Sequence, residues 1–230
     1  NCHVGIATDA DGDRFGILDE NGNFVTQNLI LSLILDYLVT VKKWKGGVAR
    51  SVATTHLVDR IAREHNLSLF KTPVGFKYLA DLYLKKKIIF GAEESACMAI
   101  KDHLPEKDGI FAGLLVVEMM ATMGKSLSEM IKDMFRTYGK REGKRKNIPL
   151  TPEREKRLEK LREHPPSKLG ERAVISIETI DGIKLDFSDD DWILLRLSGT
   201  EPIIRCYAEA GSKKEVDRLA SLGLELLEKR

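Results

Sequence analysis

Asp9, Asp11 and Asp13 alternate with small residues in the stretch DADGDR. Carboxylates this closely spaced repel one another unless a cation joins them. Converging in a turn, they offer the hard oxygen ligands that Mg2+ or Ca2+ takes. Gly12 lets the loop fold tightly, and Arg14 sets a positive charge beside it. An exposed acidic turn is the plainer alternative. A second group is GAEES at 91–95, after an apolar stretch that reads as a parallel strand. Ligands of open α/β sheets bind at the carboxyl ends of such strands. Glu93 and Ser95, two apart, can point together at sugar hydroxyls, since glutamate accepts hydrogen bonds and serine donates or accepts them. The alternative is a helix N-terminus with acidic first-turn residues.

TPVGFK at 72–77 is a similar turn after a strand, with Gly75 in its bend and Lys77 as a candidate phosphate contact. HLPEKDG at 103–109 places Lys107 and Asp108 just ahead of an apolar helix. Either could be ordinary surface punctuation. In RLSGTEPIIR at 196–205, Arg196, Ser198, the amides around Gly199 and Thr200, and Arg205 together resemble a phosphate cradle. Arginine forks match phosphate oxygens, hydroxyls add donors, and glycine lets backbone N–H groups approach. A strand follows, so no helix dipole assists, and a plain hairpin turn remains open.

The elements that must hold these loops read as follows. Residues 3–8 and 14–19 are short strands around the aspartate loop, and Asn21-Gly22 gives a turn. Ile30, Leu33, Ile34, Tyr37, Leu38 and Val41 recur at helical spacing, predicting an amphipathic helix over 27–42. VARSVA, LSLFK and IIFG then read as strands separated by helices at THLVDRIAREH and from Gly75 to Lys86. That alternation predicts an α/β domain with a mostly parallel, doubly wound sheet. IFAGLLVVEMMATM is apolar nearly all round and is expected to be buried. The next helix opens on a capping box, Ser126 and Glu129, and turns Leu127, Met130, Ile131, Met134 and Phe135 inward.

The stretch 139–149 (GKREGKRKNIP) reads as a solvated linker at a domain boundary, although its basic run could meet phosphate groups. Beyond it come a polar helix at 152–163, a hairpin with Asp181-Gly182 at its turn, and the strands WILLRL and IIRCYAEA. A last helix opens with Ser212 and Glu215, again spaced as a capping box, and buries Val216, Leu219, Ala220, Leu226 and Leu227. This predicts a smaller α+β domain with an antiparallel sheet.

The 230 residues are 43% hydrophobic and 31% charged, a globular balance, and suffice for one large domain or two small ones. A net charge of +2 gives no reason to expect nucleic acid or an acidic membrane surface as partner. The longest apolar stretch, Leu29 to Val41, is cut by Asp36 and falls short of the roughly 18 residues of a membrane span. No basic region, apolar stretch and cleavage site of a signal peptide open the chain. Cys2, Cys97 and Cys206 form no CxxC pair, which suits a reducing cytoplasm better than a disulfide framework or structural zinc. The first residue is not Met, and the chain runs at once into VGIAT, so a fragment or processed product is expected.

Two known loop types share part of the aspartate pattern. An EF-hand would place Glu20 at position 12, but its glycine position holds Arg14 and the flanks read as strands. A haloacid-dehalogenase-type phosphatase, with Asp9 as nucleophile, has threonine or valine where this chain has Asp13. In their order along the chain the loops resemble those of the α-D-phosphohexomutase family, the phosphoglucomutases and phosphomannomutases, over nearly the whole length. The resemblance implies Mg2+ on Asp9, Asp11 and Asp13, with Arg14 near a phosphorylated serine. It also implies sugar contacts from Glu93 and Ser95, further third-domain contacts from the TPVGFK loop (Gly75, Lys77) and a ligand contact from Lys107. The 196–205 loop would grip the substrate phosphate. Residues 1–25 would be the tail of a second domain, 26–138 a third, sugar-binding domain, and 145–230 a fourth, whose family fold is like that of the TATA-binding protein.

The family's cycle passes a phosphoryl group from a phosphoserine to a hexose 1-phosphate. A bisphosphate intermediate reorients, and the serine takes back the other phosphate. Two departures stand out. Ala96-Cys97 replaces the small glycine-rich residues usual after GAEES, a change expected to narrow or reshape the sugar site. The Ser-His-Asn context of the nucleophile is absent, and His65-Asn66 follows Glu64 instead. The expectation is therefore a chain that binds hexose phosphate and hexose bisphosphate, binds Mg2+ weakly for want of the phosphoserine ligand, and does not turn over alone. The alternative readings are a non-catalytic sugar-phosphate-binding module, or one half of a split enzyme completed by a separately made N-terminal half as its partner, with the Asp9 phosphatase behind both. No residue stands out as general acid or base.

Overall fold

The chain opens with a three-stranded antiparallel sheet, β1 (Gly5–Thr8), β2 (Phe15–Leu18) and β3 (Phe24–Val25), in that order. Helix α1 (Gln27–Thr40) leads to β4 (Gly47–Ser51), α2 (Leu57–Glu64), β5 (Leu69–Thr72), α3 (Phe76–Leu84), β6 (Ile88–Glu93) and β7 (Cys97–Ile100). The second sheet has the order β5-β4-β6-β7; β4 runs parallel to β5 and β6, and β7 returns antiparallel to β6. Helices α4 (Gly109–Met123) and α5 (Leu127–Tyr138) complete this unit, which ends at Gly139. The structure, a computed structural model, describes residues 2–228.

Apolar residues cover both faces of the parallel sheet, as doubly wound packing requires. Val48, Phe90 and Ala92 join the main core with α1, α2, α4 and α5, while Ala49 and Ile88 pack with Leu79 of α3. Two helices exchange the roles their sequences predict. Helix α1, amphipathic by its spacing, is buried nearly all round, with Ile30, Leu31, Ile34 and Leu35 fully inaccessible. It packs against α2, α4, α5, β2 and β6, and each such buried side chain contributes about 1.5–3 kcal/mol. Helix α4, apolar all round, leaves Ile110, Leu114 and Val117 exposed. Helix α5 keeps its capping box, and Leu127, Met130 and Met134 are buried, with Ile131 and Phe135 partly so.

The second unit starts at Lys140. Its elements are β8 (Glu142–Pro149), α6 (Pro152–Glu163), β9 (Lys168–Leu169), β10 (Arg172–Ala173), β11 (Ser176–Glu178), β12 (Ile183–Asp186), β13 (Trp192–Leu197), β14 (Ile203–Ala210) and α7 (Lys213–Glu228). Strands β9 and β10 pair by themselves, and the other five form an antiparallel sheet in the order β11-β12-β13-β14-β8. Val216, Leu219, Ala220, Leu226 and Leu227 of α7 join the core of this unit. At its start the Glu215 amide donates to Ser212 Oγ at 3.3 Å.

Most of the stretch expected to be a solvated linker is β8, paired with β14 from Glu142 to Pro149. Only Ile148 of β8 is buried, so no apolar alternation advertised the strand. Charged residues are what an edge strand carries. Just before it, Arg141 is buried: its Nη atoms donate to the carbonyls of Asp189 and Asp190, and it pairs with Asp191 at 3.0 Å and Glu209 at 3.5 Å. Asp189 and Asp190 both have left-handed backbones, with φ of 64° and 62°, so the guanidinium ties down a strained turn. No single helix among the described residues is long and apolar enough to cross a membrane.

Candidate functional site

Strands β1 and β2 pair from Gly5↔Leu18 to Thr8↔Phe15, which holds the aspartate loop as the connection between them. The loop is closed by the Gly12 amide on Asp9 O at 3.2 Å and by the Arg14 amide on Asp9 Oδ1 at 3.0 Å, with Gly12 at φ 71°. Carboxylate oxygens of Asp9, Asp11 and Asp13 lie within 4.8 Å of one another. Arg14 Nε stands 3.8 Å from Asp9 Oδ2 and 3.6 Å from Asp13 Oδ1. Lys107 Nζ pairs with Asp13 Oδ2. Asp13 Oδ1 is buried and accepts no hydrogen bond. A buried carboxylate oxygen without a donor is costly, and a divalent cation removes that cost. Three converging carboxylates plus this orphaned oxygen fit a hard cation such as Mg2+.

The start of α4 backs this loop. The Gly109 amide donates to Gly12 O at 2.9 Å, and a Cβ on Gly109 would stand 2.2 Å from Arg14 O. Only glycine allows that approach. Asp108 caps the helix by accepting from the Phe111 amide at 2.7 Å, which holds its carboxyl below the ordinary value. His103 Nε2 lies 3.0 Å from Asp108 Oδ2, and its ring stacks on Phe111 with centroids 3.9 Å apart. Tyr83 at the end of α3 bonds the His103 carbonyl. These contacts fix the segment that carries Lys107. The sequence singled out Lys107 and Asp108, but missed Gly109 and His103. The Asp-Gly pair opening an apolar helix was their available signal.

GAEES is neither a helix start nor an open loop. Glu93 ends β6 and pairs with Cys97 of β7, so Glu94, Ser95 and Ala96 form a three-residue hairpin loop. Such loops place a left-handed residue last, usually glycine. Ala96 occupies that position with φ 67°. The departure seen in the sequence therefore falls where backbone conformation sets the preference. Glu93 is buried, and its Oε1 accepts from the Gly75 amide at 2.5 Å, which joins the TPVGFK turn to the hairpin. Ser95 Oγ is 3.5 Å from Cys97 Sγ. Burial pushes the Cys97 thiol up to about 11; the Ser95 hydrogen bond opposes the rise, Glu93 adds to it, and the charge of Arg14 opposes it. Lys77 is exposed, with Nζ 5.0 Å from the Tyr78 ring centroid.

In the second unit, β13 and β14 place Arg196 and Arg205 directly opposite each other. Each guanidinium meets a carboxylate: Arg196 Nε donates to Asp181 Oδ2 at 2.9 Å, and Arg205 Nη2 to Glu201 Oε2 at 2.7 Å. Ser198, Gly199 and Thr200 form the turn between them, closed by the Ser198 amide on Ile203 O at 2.9 Å. Gly199 and Thr200 are exposed. Asp181, a turn residue by its sequence, orients Arg196 in the structure.

Two family models match the chain. The phosphoglucomutase/phosphomannomutase alpha/beta/alpha domain III matches residues 26–138, and the C-terminal domain of the same proteins matches residues 144–222. A phosphoglucomutase/phosphomannomutase of Thermococcus kodakarensis is 34% identical over 97% of this chain and 47% of its own length. A probable phosphoglucosamine mutase of Pyrococcus horikoshii is 37% identical over 95% of this chain and 47% of its own length. The crystal structure of a protein described as a phosphomannomutase of Thermus thermophilus superposes with a TM-score of 0.82 at 30% identity, over 98% of this chain and 46% of that one. The chain thus spans about half the length of the relatives it matches.

Proposed function

The chain belongs to the α-D-phosphohexomutase family, and from that premise we propose that it is the C-terminal part of an enzyme interconverting hexose 1-phosphate and hexose 6-phosphate. The observation that carries this reading is the convergence of Asp9, Asp11 and Asp13 in one loop, where Asp13 Oδ1 is buried and accepts no hydrogen bond, with Arg14 and Lys107 beside it. Asp9, Asp11 and Asp13 would hold Mg2+. When bound, the cation offsets charge on the phosphoryl group in transfer. Arg14 is poised at the same place to face that group. Glu93, kept in position by the Gly75 amide, and Ser95 would bond sugar hydroxyls, and Lys77 adds an exposed positive charge. Arg196, Ser198, the amides of Gly199 and Thr200, and Arg205 would grip the phosphate.

The cycle calls for a serine that is phosphorylated, and the Ser-His-Asn context of that nucleophile does not occur in these residues. The chain by itself is therefore proposed to be inactive, with a hexose bisphosphate and an N-terminal half completing the enzyme in the cytoplasm. The test is a coupled assay of glucose 1-phosphate conversion to glucose 6-phosphate, with Mg2+ and glucose 1,6-bisphosphate, beside calorimetric titration with glucose 1-phosphate. The expected outcome is binding without turnover. Turnover would mean that another residue serves as nucleophile, and absence of binding would remove the sugar-phosphate reading.

A further inference from the structure

Lys107 meets Asp13 at the same carboxylate the proposed cation would use. One oxygen, Oδ2, takes the ammonium, and the other, Oδ1, is buried and accepts no hydrogen bond. Lys107 does not arrive there by chance of a flexible tail. Its amide donates to Glu106 Oε1 at 2.8 Å, the next residue caps α4, and the Gly109 amide is bonded to the aspartate loop itself. The ammonium and the carboxylate are both largely shielded, with side-chain exposures of 26% and 19%. Three carboxylates face two cationic side chains, Arg14 and Lys107. Arg14 is the looser of the two, at 3.6–3.8 Å and 55% exposed.

Resting on the metal-loop reading above, we propose that Lys107 is an exchangeable counter-ion that competes with the divalent cation for Asp13. A dication held by Asp9, Asp11 and Asp13 would repel the ammonium and compete with it for the Asp13 carboxylate. Cation binding then releases a positive charge, carried on a four-carbon stem, beside the place where a substrate phosphate arrives. Metal would thus precede phosphate at this site, because Lys107 serves one anion at a time.

Calorimetric titration of the EDTA-treated chain with Mn2+ tests this. Lys107→Met keeps the stem and removes the charge, and should bind Mn2+ about tenfold more tightly than the parent. That is the order expected from deleting one unit charge a few ångströms from a partly exposed cation site. Lys107→Arg keeps the charge and should stay near the parent, and Asp13→Asn should lose binding. Unchanged or weaker Mn2+ binding by Lys107→Met, with the parent binding normally, overturns the competition and leaves the metal loop standing. No Mn2+ binding by the parent or either Lys107 variant overturns the metal-loop reading and the competition with it.

Discussion

Replacing Gly109 by alanine separates two opposite forces. Gly109 is the first residue of α4, where alanine is the better helix former by up to about 1 kcal/mol. On propensity alone Gly109→Ala should stabilise the chain. The structure reverses the sign. The new Cβ would lie 2.2 Å from Arg14 O, 2.5 Å from Arg14 C and 2.9 Å from Gly12 O, all backbone atoms. To restore van der Waals contact, loop or helix must retreat by roughly 1 Å, and overpacking of this kind costs about 1–3 kcal/mol. The retreat also strains the 2.9 Å bond from the Gly109 amide to Gly12 O. A net loss of about 1–2 kcal/mol should lower the unfolding temperature by about 2–8 °C in a calorimetric scan. The same displacement spreads the aspartates, so Mn2+ affinity should fall in parallel. An unfolding temperature at or above the parent's, with unchanged Mn2+ affinity, would refute the close packing of α4 on the loop.

Three further outcomes are expected. Burial holds the Asp36 carboxyl above its ordinary value, with the Tyr138 hydroxyl at 2.6 Å opposing the rise. A raised carboxyl pKa stabilises the fold only at low pH and loses that contribution as pH rises through the folded value. Asp36→Asn should therefore melt higher than the parent at pH 7, and the gap should close towards pH of about 4; a constant gap in melting scans across pH would contradict this. Arg141→Leu takes the guanidinium from Glu209 and one of two from Asp191, which keeps Arg172 at 2.8 Å, and should cost about 3 kcal/mol, read by denaturant unfolding followed through tryptophan fluorescence. Arg196→Ala should abolish measurable glucose 1-phosphate affinity. Arg196→Lys, which keeps the charge but loses the planar fork, should restore only part of it in the same titration.

Much of the candidate site was legible because its chemistry sits in short loops with unusual residues. Aspartates at alternate positions, a glutamate after an apolar strand, and arginines bracketing Ser-Gly-Thr all announce themselves locally. The partners that aim them did not. The Gly75 amide on Glu93, Asp181 on Arg196 and Gly109 behind Gly12 are contacts between segments 15 to 97 residues apart, and no local pattern encodes them. Elements showed the same division. The capping box at Ser126 and Glu129 is a local device and was readable. Whether α1 or α4 lies deeper depends on which neighbours cover each face, and there the apolar pattern misled. Likewise β8 has one buried apolar residue, so its strand character comes from β14 beside it.

Strand β8 also bears on how this protein behaves in concentrated solution. A sheet that ends in an open strand invites a second molecule to extend it, and repeated extension leads to fibres. Here one of the two outermost strands runs EGKRKNIP, with Lys144, Arg145 and Lys146 in direct succession after a glycine and a proline at its end. Two copies brought edge to edge would oppose like charges through the middle of the strand, and the proline has no N–H to offer. The basic stretch that looked like a tether thus guards this edge of the sheet, and replacing its lysines with valine or threonine would turn it into a growing end.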